Sequence, residues 1–408
     1  MTQLGGALGG HPGLGQSTSS QYVNIATGNL VMQGDDEQLL ARGLMVSQNR
    51  TYNSRGALTN VGAAGKDCWT FGFESTVALS FGTLNVAGSK VTRTLGDGTV
   101  VLFDYDAQAG DYRSTAGDGA HDRIAYDASN GTWVWTEGSS LRQEVHDSNK
   151  GLLIRIRDLK TGAENTLERN SSGRLERVVT QNGDALLFGY DGSTSTLLSL
   201  STLESGRTYS QVRYGYDWSG RLARIDVDLT PGTWADNASD ASLSFTTSYE
   251  YADDTPKIKR AGRGMSQSDG LEVSYEYYVD GPNRDKIRCV TVGSADDGSA
   301  QTMEFAYDVA NRTTHVTDLS GRTWSYKYDA AGQLIEVLSP AENGIRQLTR
   351  CEYNGAGDLV RVIDAEGRIT ASEYDAQGNL TLQRDHAGNT VRRTYDANNQ
   401  MSSEAVYT

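Results

Sequence analysis

A short phrase recurs near the C-terminus at an almost fixed interval. It reads YDVANRT, YDAAGQL, YNGAGDL, YDAQGNL and YDANNQM, starting at Tyr307, Tyr328, Tyr353, Tyr374 and Tyr395. The gaps are 21, 25, 21 and 21 residues. A period of this length marks a repeat architecture, because a unit too small to bury a face alone must stack on its neighbours. The 25-residue gap holds Ser339-Pro-Ala-Glu-Asn-Gly344, which reads as a longer turn. A second, weaker box lies between the first: Asp318-Leu-Ser-Gly321, Asp364-Ala-Glu-Gly367 and Asp385-His-Ala-Gly388, each Asp 11 positions after a box tyrosine. One repeat is therefore two turns, each followed by a strand.

Residue chemistry accounts for the turns. The residue after each tyrosine is Asp308, Asp329, Asn354, Asp375 or Asp396. Such a side chain accepts a hydrogen bond from the backbone two residues on and starts a turn. Four residues after the tyrosine stands Gly332, Gly357 or Gly378, with Asn311 and Asn399 at the corresponding place in the first and last boxes. Glycine, then asparagine, is the pattern of a backbone with φ > 0. It fits a short hairpin loop closed by a glycine bulge. The runs that follow, such as Leu334–Leu338 and Leu359–Ile363, have strand composition. An earlier copy, Tyr216-Asp217 with Gly220, keeps the same spacing. Tyr105-Asp106 and Tyr126-Asp127 have glycine five residues on, at Gly110 and Gly131, which predicts longer turns.

This pattern, Y-D-x-x-G-[NQR]-L at a 21-residue period, resembles the YD-repeat or RHS-repeat proteins of bacteria. Their relatives include the cocoon subunits of insecticidal toxin complexes and the teneurin shells of animal cell surfaces. The stretch VNIATGNL, a pair of acids and RTYNS, between Val23 and Ser54, resembles the segment that leads into the repeats of that family. The resemblance covers about residues 22–408. It implies an all-β fold in which antiparallel hairpins build a long, curved, spiralling sheet, part of a hollow shell.

The chain divides by composition into a Gly- and Ser-rich leader (1–20), a lead-in segment (21–87), irregular YD-like β-repeats (88–300) and regular repeats (301–408). No boundary after residue 20 is sharp, so one continuous β structure is expected. Residues Trp69 to Ala87 read as paired strands. Asp35 and Asp36 read as a polar turn before the run Glu37–Arg42. Thr230–Ser242 and Asp253–Gly270 read as surface loops. In TWVWTEG, Trp133 and Trp135 fall on one face of a strand.

Composition narrows the function. A net charge of −15 opposes nucleic-acid binding, which depends on neutralising phosphates. It opposes an anionic membrane surface for the same reason, and no stretch approaches the roughly 18 apolar residues of a membrane helix. The N-terminus lacks the basic and apolar regions of a classical signal peptide. Cys68, Cys289 and Cys351 have no metal-ligand spacing and read as thiols. Asp104-Tyr-Asp106-Ala-Gln108 lacks the glycine and glutamate of a calcium loop, and Gly117–Asp122 matches a calcium nonapeptide only once. The five histidines are scattered, and no P-loop or nucleophile elbow occurs. No metal, cofactor or catalytic residue is expected.

Family shells that release a toxin carry a self-cleavage region with a DPxG-like core. No Asp-Pro dipeptide occurs here, so that activity is not carried over. The reading is a structural scaffold, not an enzyme, that encloses or presents a toxin or effector polypeptide in a secreted or cell-surface bacterial system. Its partners would be downstream repeats or the effector. The alternatives are a module that binds carbohydrate or cell-surface glycans and, more remotely, a hydrolase. The final run Met401–Thr408 reads as a strand with one charge and no proline, an unguarded sheet edge prone to self-association if the chain is the opening part of a longer shell.

Overall fold

The computed structural model describes residues 2–3, 19–40, 43–56, 68–114, 120–138, 140–193, 196–229, 244–265, 271–293, 298, 300–396 and 400–408. Among them every sheet pairing is antiparallel and runs between strands consecutive in sequence. The first sheet has five strands: β1 (Thr2–Gln3), β2 (Ser19–Val23), β3 (Leu30–Leu39), β4 (Val46–Asn53) and β5 (Trp69–Phe71). A single 3-10 turn, Gly72–Glu74, then hands the chain to a second sheet.

The second sheet opens as a small barrel of β6 (Thr76–Phe81), β7 (Lys90–Thr94), β8 (Val100–Asp106), β9 (Asp111–Arg113), β10 (Arg123–Asp127), β11 (Thr132–Thr136), β12 (Arg142–Asp147) and β13 (Leu153–Asp158). These eight strands curl back on themselves where Thr76 bridges Leu152 and the Val77 N–H donates to Gly151 O at 3.0 Å. Val77, Val91, Phe103, Tyr112, Ile124, Trp133 and Trp135 fill its interior. Both tryptophans lie on one face of β11, following the alternation of the pleat.

Beyond β13 the ladder continues as a wall, hairpin by hairpin, from Glu164–Arg169 to Met401–Tyr407. The first sheet shares one buried core with wall residues from Leu153 to Val316. At about 4.8 Å per strand spacing, the first sheet is about 20 Å wide while that stretch of wall is about 60 Å along. A narrow sheet can touch so long an arc only if the wall curls round it. The first sheet is therefore an inner layer on the concave side.

The long antiparallel sheet is present as expected, and the lead-in segment adds a separate five-stranded sheet beside it. Several expectations change. Trp69–Ala87 is not a hairpin, since β5 pairs with β4 and β6 with β7. Asp35 and Asp36 lie within β3, not a turn, at a bulge between Asp35 and Glu37. The bulge brings Asp36 to the buried side, where it meets Arg50. In Asp253–Gly270 the loop reading fails for Ile258–Met265, a strand whose Arg260 pairs with Glu272, and residues 266–270 lie outside the described residues. Thr230–Ser242 lies outside the described residues.

Candidate functional site

Two features bear on function: the repeat turn, which builds the wall, and the inner face, which the wall encloses. In the turn the box aspartate binds its own loop. Asp217 Oδ1 accepts from Ser219 N and Arg221 N, both at 2.9 Å. Asp329 accepts in the same way from Ala331 N and Gln333 N, and Asp375 from Gln377 N and Asn379 N. Asn354 does so with its amide oxygen, from Ala356 N and Asp358 N at 3.0 Å. Asp396 accepts from Gln400 N. The glycines sit in the left-handed region: φ is +81° at Gly220, +84° at Gly332, +97° at Gly357 and +81° at Gly378. The second boxes share this geometry, with φ +77°, +79° and +93° at Gly321, Gly367 and Gly388.

The first regular box differs. Asn311 is not the left-handed residue; Arg312 is, at φ +49°. Here Asp308 pairs with Thr313, five residues on, where Asp329 N meets Gln333 O only four residues on, so the loop is one residue longer. Asn311 instead donates from its backbone and side chain to Asp308, at 3.0 and 2.7 Å. This is the longer turn of Gly110 and Gly131, whose φ values are +75° and +61°. Asn399 lies outside the described residues.

The box tyrosine has a role that its turn does not reveal. Its hydroxyl crosses to the preceding repeat and donates to the carbonyl of that repeat's box leucine. Tyr353 reaches Leu334 O at 2.9 Å, Tyr374 reaches Leu359 O at 3.1 Å and Tyr395 reaches Leu380 O at 3.0 Å. Tyr216 does the same to Leu197 O at 2.7 Å. The tyrosine and the leucine of the motif are thus two halves of one inter-repeat tie. The bond needs both repeats in place, and only the joint recurrence of the two residues signals it in sequence. Two boxes depart from this. The Tyr328 hydroxyl meets the Thr314 side chain and not a leucine carbonyl. The Tyr307 hydroxyl is buried without a hydrogen-bond partner among the described residues, and its ring lies under the Lys286 ammonium at 4.7 Å.

Polar side chains pin the inner sheet to the wall. Asp36 forms a buried ion pair with Arg50 and accepts from Tyr214 Oη at 2.6 Å, while Arg50 donates to Tyr249 Oη at 3.2 Å. Trp69 Nε1 donates to Tyr251 Oη at 2.9 Å, Tyr52 Oη to Pro256 O at 2.9 Å, and Tyr275 Oη to Gln21 at 2.6 Å. Burial pushes the hydroxyls of Tyr52, Tyr214 and Tyr275 well above the ordinary phenol range. Beyond Tyr326 no described wall residue joins the core shared with the inner sheet. The strands Leu334–Leu338 and Leu359–Ile363 are half-buried at every position.

The barrel holds a buried polar cluster around Glu144. Ser75 Oγ donates to Glu144 at 3.2 Å, Arg93 donates to the same carboxylate at 2.8 Å, and His146 Nε2 lies 3.5 Å from it. Burial would raise the Glu144 carboxyl, but the His146 hydrogen bond and the charges of Arg93 and Arg142 outweigh it and hold the group well below the usual range. The carboxylate lies between Ser75 and His146, which is not the nucleophile–base–acid order of a hydrolase. Among the described residues no three His, Cys, Asp or Glu side chains converge to hold a metal. A cleft of about 930 Å³ opens between the inner sheet and the wall, with Phe73, Leu175 and Phe188 on its floor and Arg55, Glu74 and Lys150 at its rim.

The RHS repeat family matches residues 307–343, 353–390 and 374–408. Over 351 residues, 85% of its length, the chain is 24% identical to a tRNA nuclease, WapA, of Bacillus subtilis. Over 190 residues, 46% of its length, it is 24% identical to double-stranded DNA deaminase toxin A of Burkholderia cenocepacia. The chain spans only 13% and 12% of those two proteins. Among solved structures, the TcdB2-TccC3 protein without its hypervariable C-terminal region aligns with 93% of this chain and 26% of its own, at 10% identity and TM-score 0.43. A Photorhabdus luminescens Tc holotoxin pore aligns with 96% of this chain and 26% of its own, at 11% identity and TM-score 0.41.

Proposed function

We propose that this RHS-repeat chain is one section of a curved wall that encloses or presents a toxin or effector polypeptide in an exported or surface-displayed bacterial system. One observation carries the reading: the wall curls round its own inner sheet and then runs on past the last residue of their shared core, with strands Leu334–Leu338 and Leu359–Ile363 half-exposed throughout. An enclosed polypeptide would meet this face. The relatives named above, a nuclease and a deaminase toxin, support an effector as the partner. The chain acts as structure and not as catalyst. Its recurrent residues are used in turns and in ties between repeats.

The test uses the full-length gene product. Limited proteolysis is followed by mass spectrometry, and cleavage downstream of residue 408 is timed against cleavage of the exposed turns. Protection of a downstream effector segment, lost when the inner sheet is detached by Asp36→Asn, is the expected result. Cleavage of that segment as fast as the turns would overturn the enclosure reading.

A further inference from the structure

The curl of the wall brings residues far apart in sequence face to face. His121, in the connection between β9 and β10 of the barrel, meets two turns of the regular repeats. Its Nδ1 lies 3.0 Å from Ala376 O, and its Nε2 lies 3.2 Å from both carboxylate oxygens of Asp358. The ring packs so closely on the repeat that a Cβ added at Gly378 would stand 2.7 Å from His121 Cδ2. Asp358 is itself held, its second oxygen accepting from Asn354 Nδ2 at 2.8 Å. His121 has φ +74°, a left-handed conformation that a side-chain-bearing residue adopts at a cost. The surroundings enforce that geometry.

The proton count follows from the acceptors. A carbonyl oxygen only accepts, so Nδ1 carries hydrogen. A neutral imidazole has one N–H. Nε2 would then turn a lone pair towards the carboxylate, which repels it. A second proton between Nε2 and Asp358 removes the repulsion, whichever partner holds it. Above the pH at which a separated imidazole gives up its second proton, the closed contact therefore holds a proton that its separated halves do not.

We propose that His121 and Asp358 form a proton-dependent clasp that holds the barrel against the regular repeats, closed in acid and weakened as the pH rises. By linkage, the state that binds more protons is favoured at low pH, so raising the pH favours separation. The clasp goes beyond the enclosure reading and stands without a cargo. The seam beside it is a cavity of about 550 Å³ lined by further charged groups: Arg113, Asp122, Arg123, Glu137, Asp375 and Asp396. Of these Asp122 needs a control. Burial raises its carboxyl to about 6 against hydrogen bonds from Gly138 N and Trp135 Nε1, so it titrates in the acid range too.

Hydrogen–deuterium exchange at pH 5.5 and 8.0, normalised for intrinsic rates, reads the clasp directly. Peptides covering Asn354–Asp358 and Asp375–Asn379 should be about tenfold better protected at pH 5.5, the scale of one charge-assisted hydrogen bond. The Asp364–Arg368 turn, which has the same local geometry but does not line the seam, serves as the internal reference and should show no such difference. His121→Gln and Asp358→Asn should each abolish the difference, and Asp122→Asn should leave it. A difference that survives both clasp variants, vanishes in Asp122→Asn, or appears equally at Asp364–Arg368 would overturn the proposal, as would equal protection at the two pH values.

Discussion

Gly367→Ala and Gly378→Ala place the same side chain on nearly the same backbone, at φ +79° and +81°. At Gly367 the new Cβ meets nothing within 4 Å. Only left-handed strain is incurred there, about 1 kcal/mol. At Gly378 the Cβ would lie 2.7 Å from Cδ2 and 3.1 Å from Cγ of His121. The ring must move, and it cannot do so without giving up Ala376 O and Asp358. The loss of a charge-assisted bond adds about 1.5 kcal/mol, for a total of about 2.5 kcal/mol. A repeat array opens locally before it unfolds globally, so native-state hydrogen exchange at each hairpin is the appropriate assay. Protection should fall about tenfold further in Gly378→Ala than in Gly367→Ala, since each factor of ten corresponds to about 1.4 kcal/mol. In a His121→Ala background the two substitutions should cost the same. Equal costs with His121 present would refute the reasoning.

Four further outcomes follow from the same geometry. Tyr374→Phe removes the tie to Leu359 O and should cost about 1 kcal/mol, read as faster exchange in both joined repeats. Tyr307→Phe, which removes a buried hydroxyl with no partner among the described residues, should be neutral or slightly stabilising by urea denaturation. Asp36→Asn leaves Arg50 buried against a neutral group and should cost roughly 3 kcal/mol or more; an unchanged urea midpoint, followed by Trp69 fluorescence, would count against the pin. Glu37 is raised to about 7, chiefly by burial, with Glu204 adding to the shift against the Gln38 N–H. A raised carboxyl favours the folded state while protonated, so its contribution is complete at low pH and is lost as pH rises from about 4.5 through about 7. Glu37→Gln should flatten that slope and raise stability at pH 8.

The turns were legible because their interactions span four residues or fewer. Asp375, Gly378 and Asn379 carry the whole instruction for one hairpin, and the same instruction recurs at Asp217 and Gly220. Asn311 is not the left-handed residue because Asp308 pairs with Thr313, five residues on, where Asp329 meets Gln333, four residues on, and that register depends on both strands. The tyrosine tie was half legible: Tyr and Leu recur in phase, but the bond joins residues 15 or 19 apart across repeats. What the sequence determined by itself is the unit, its period and its antiparallel order. Tertiary structure alone decided the inner sheet, because Asp36 meets Tyr214 across 178 residues and Arg50 meets Tyr249 across 199. It also decided the clasp, where His121 meets Asp358 across 237. Curvature is the reason. Each strand adds a small twist that no single repeat reveals, and only their accumulated sum determines which distant residues the closing wall brings together.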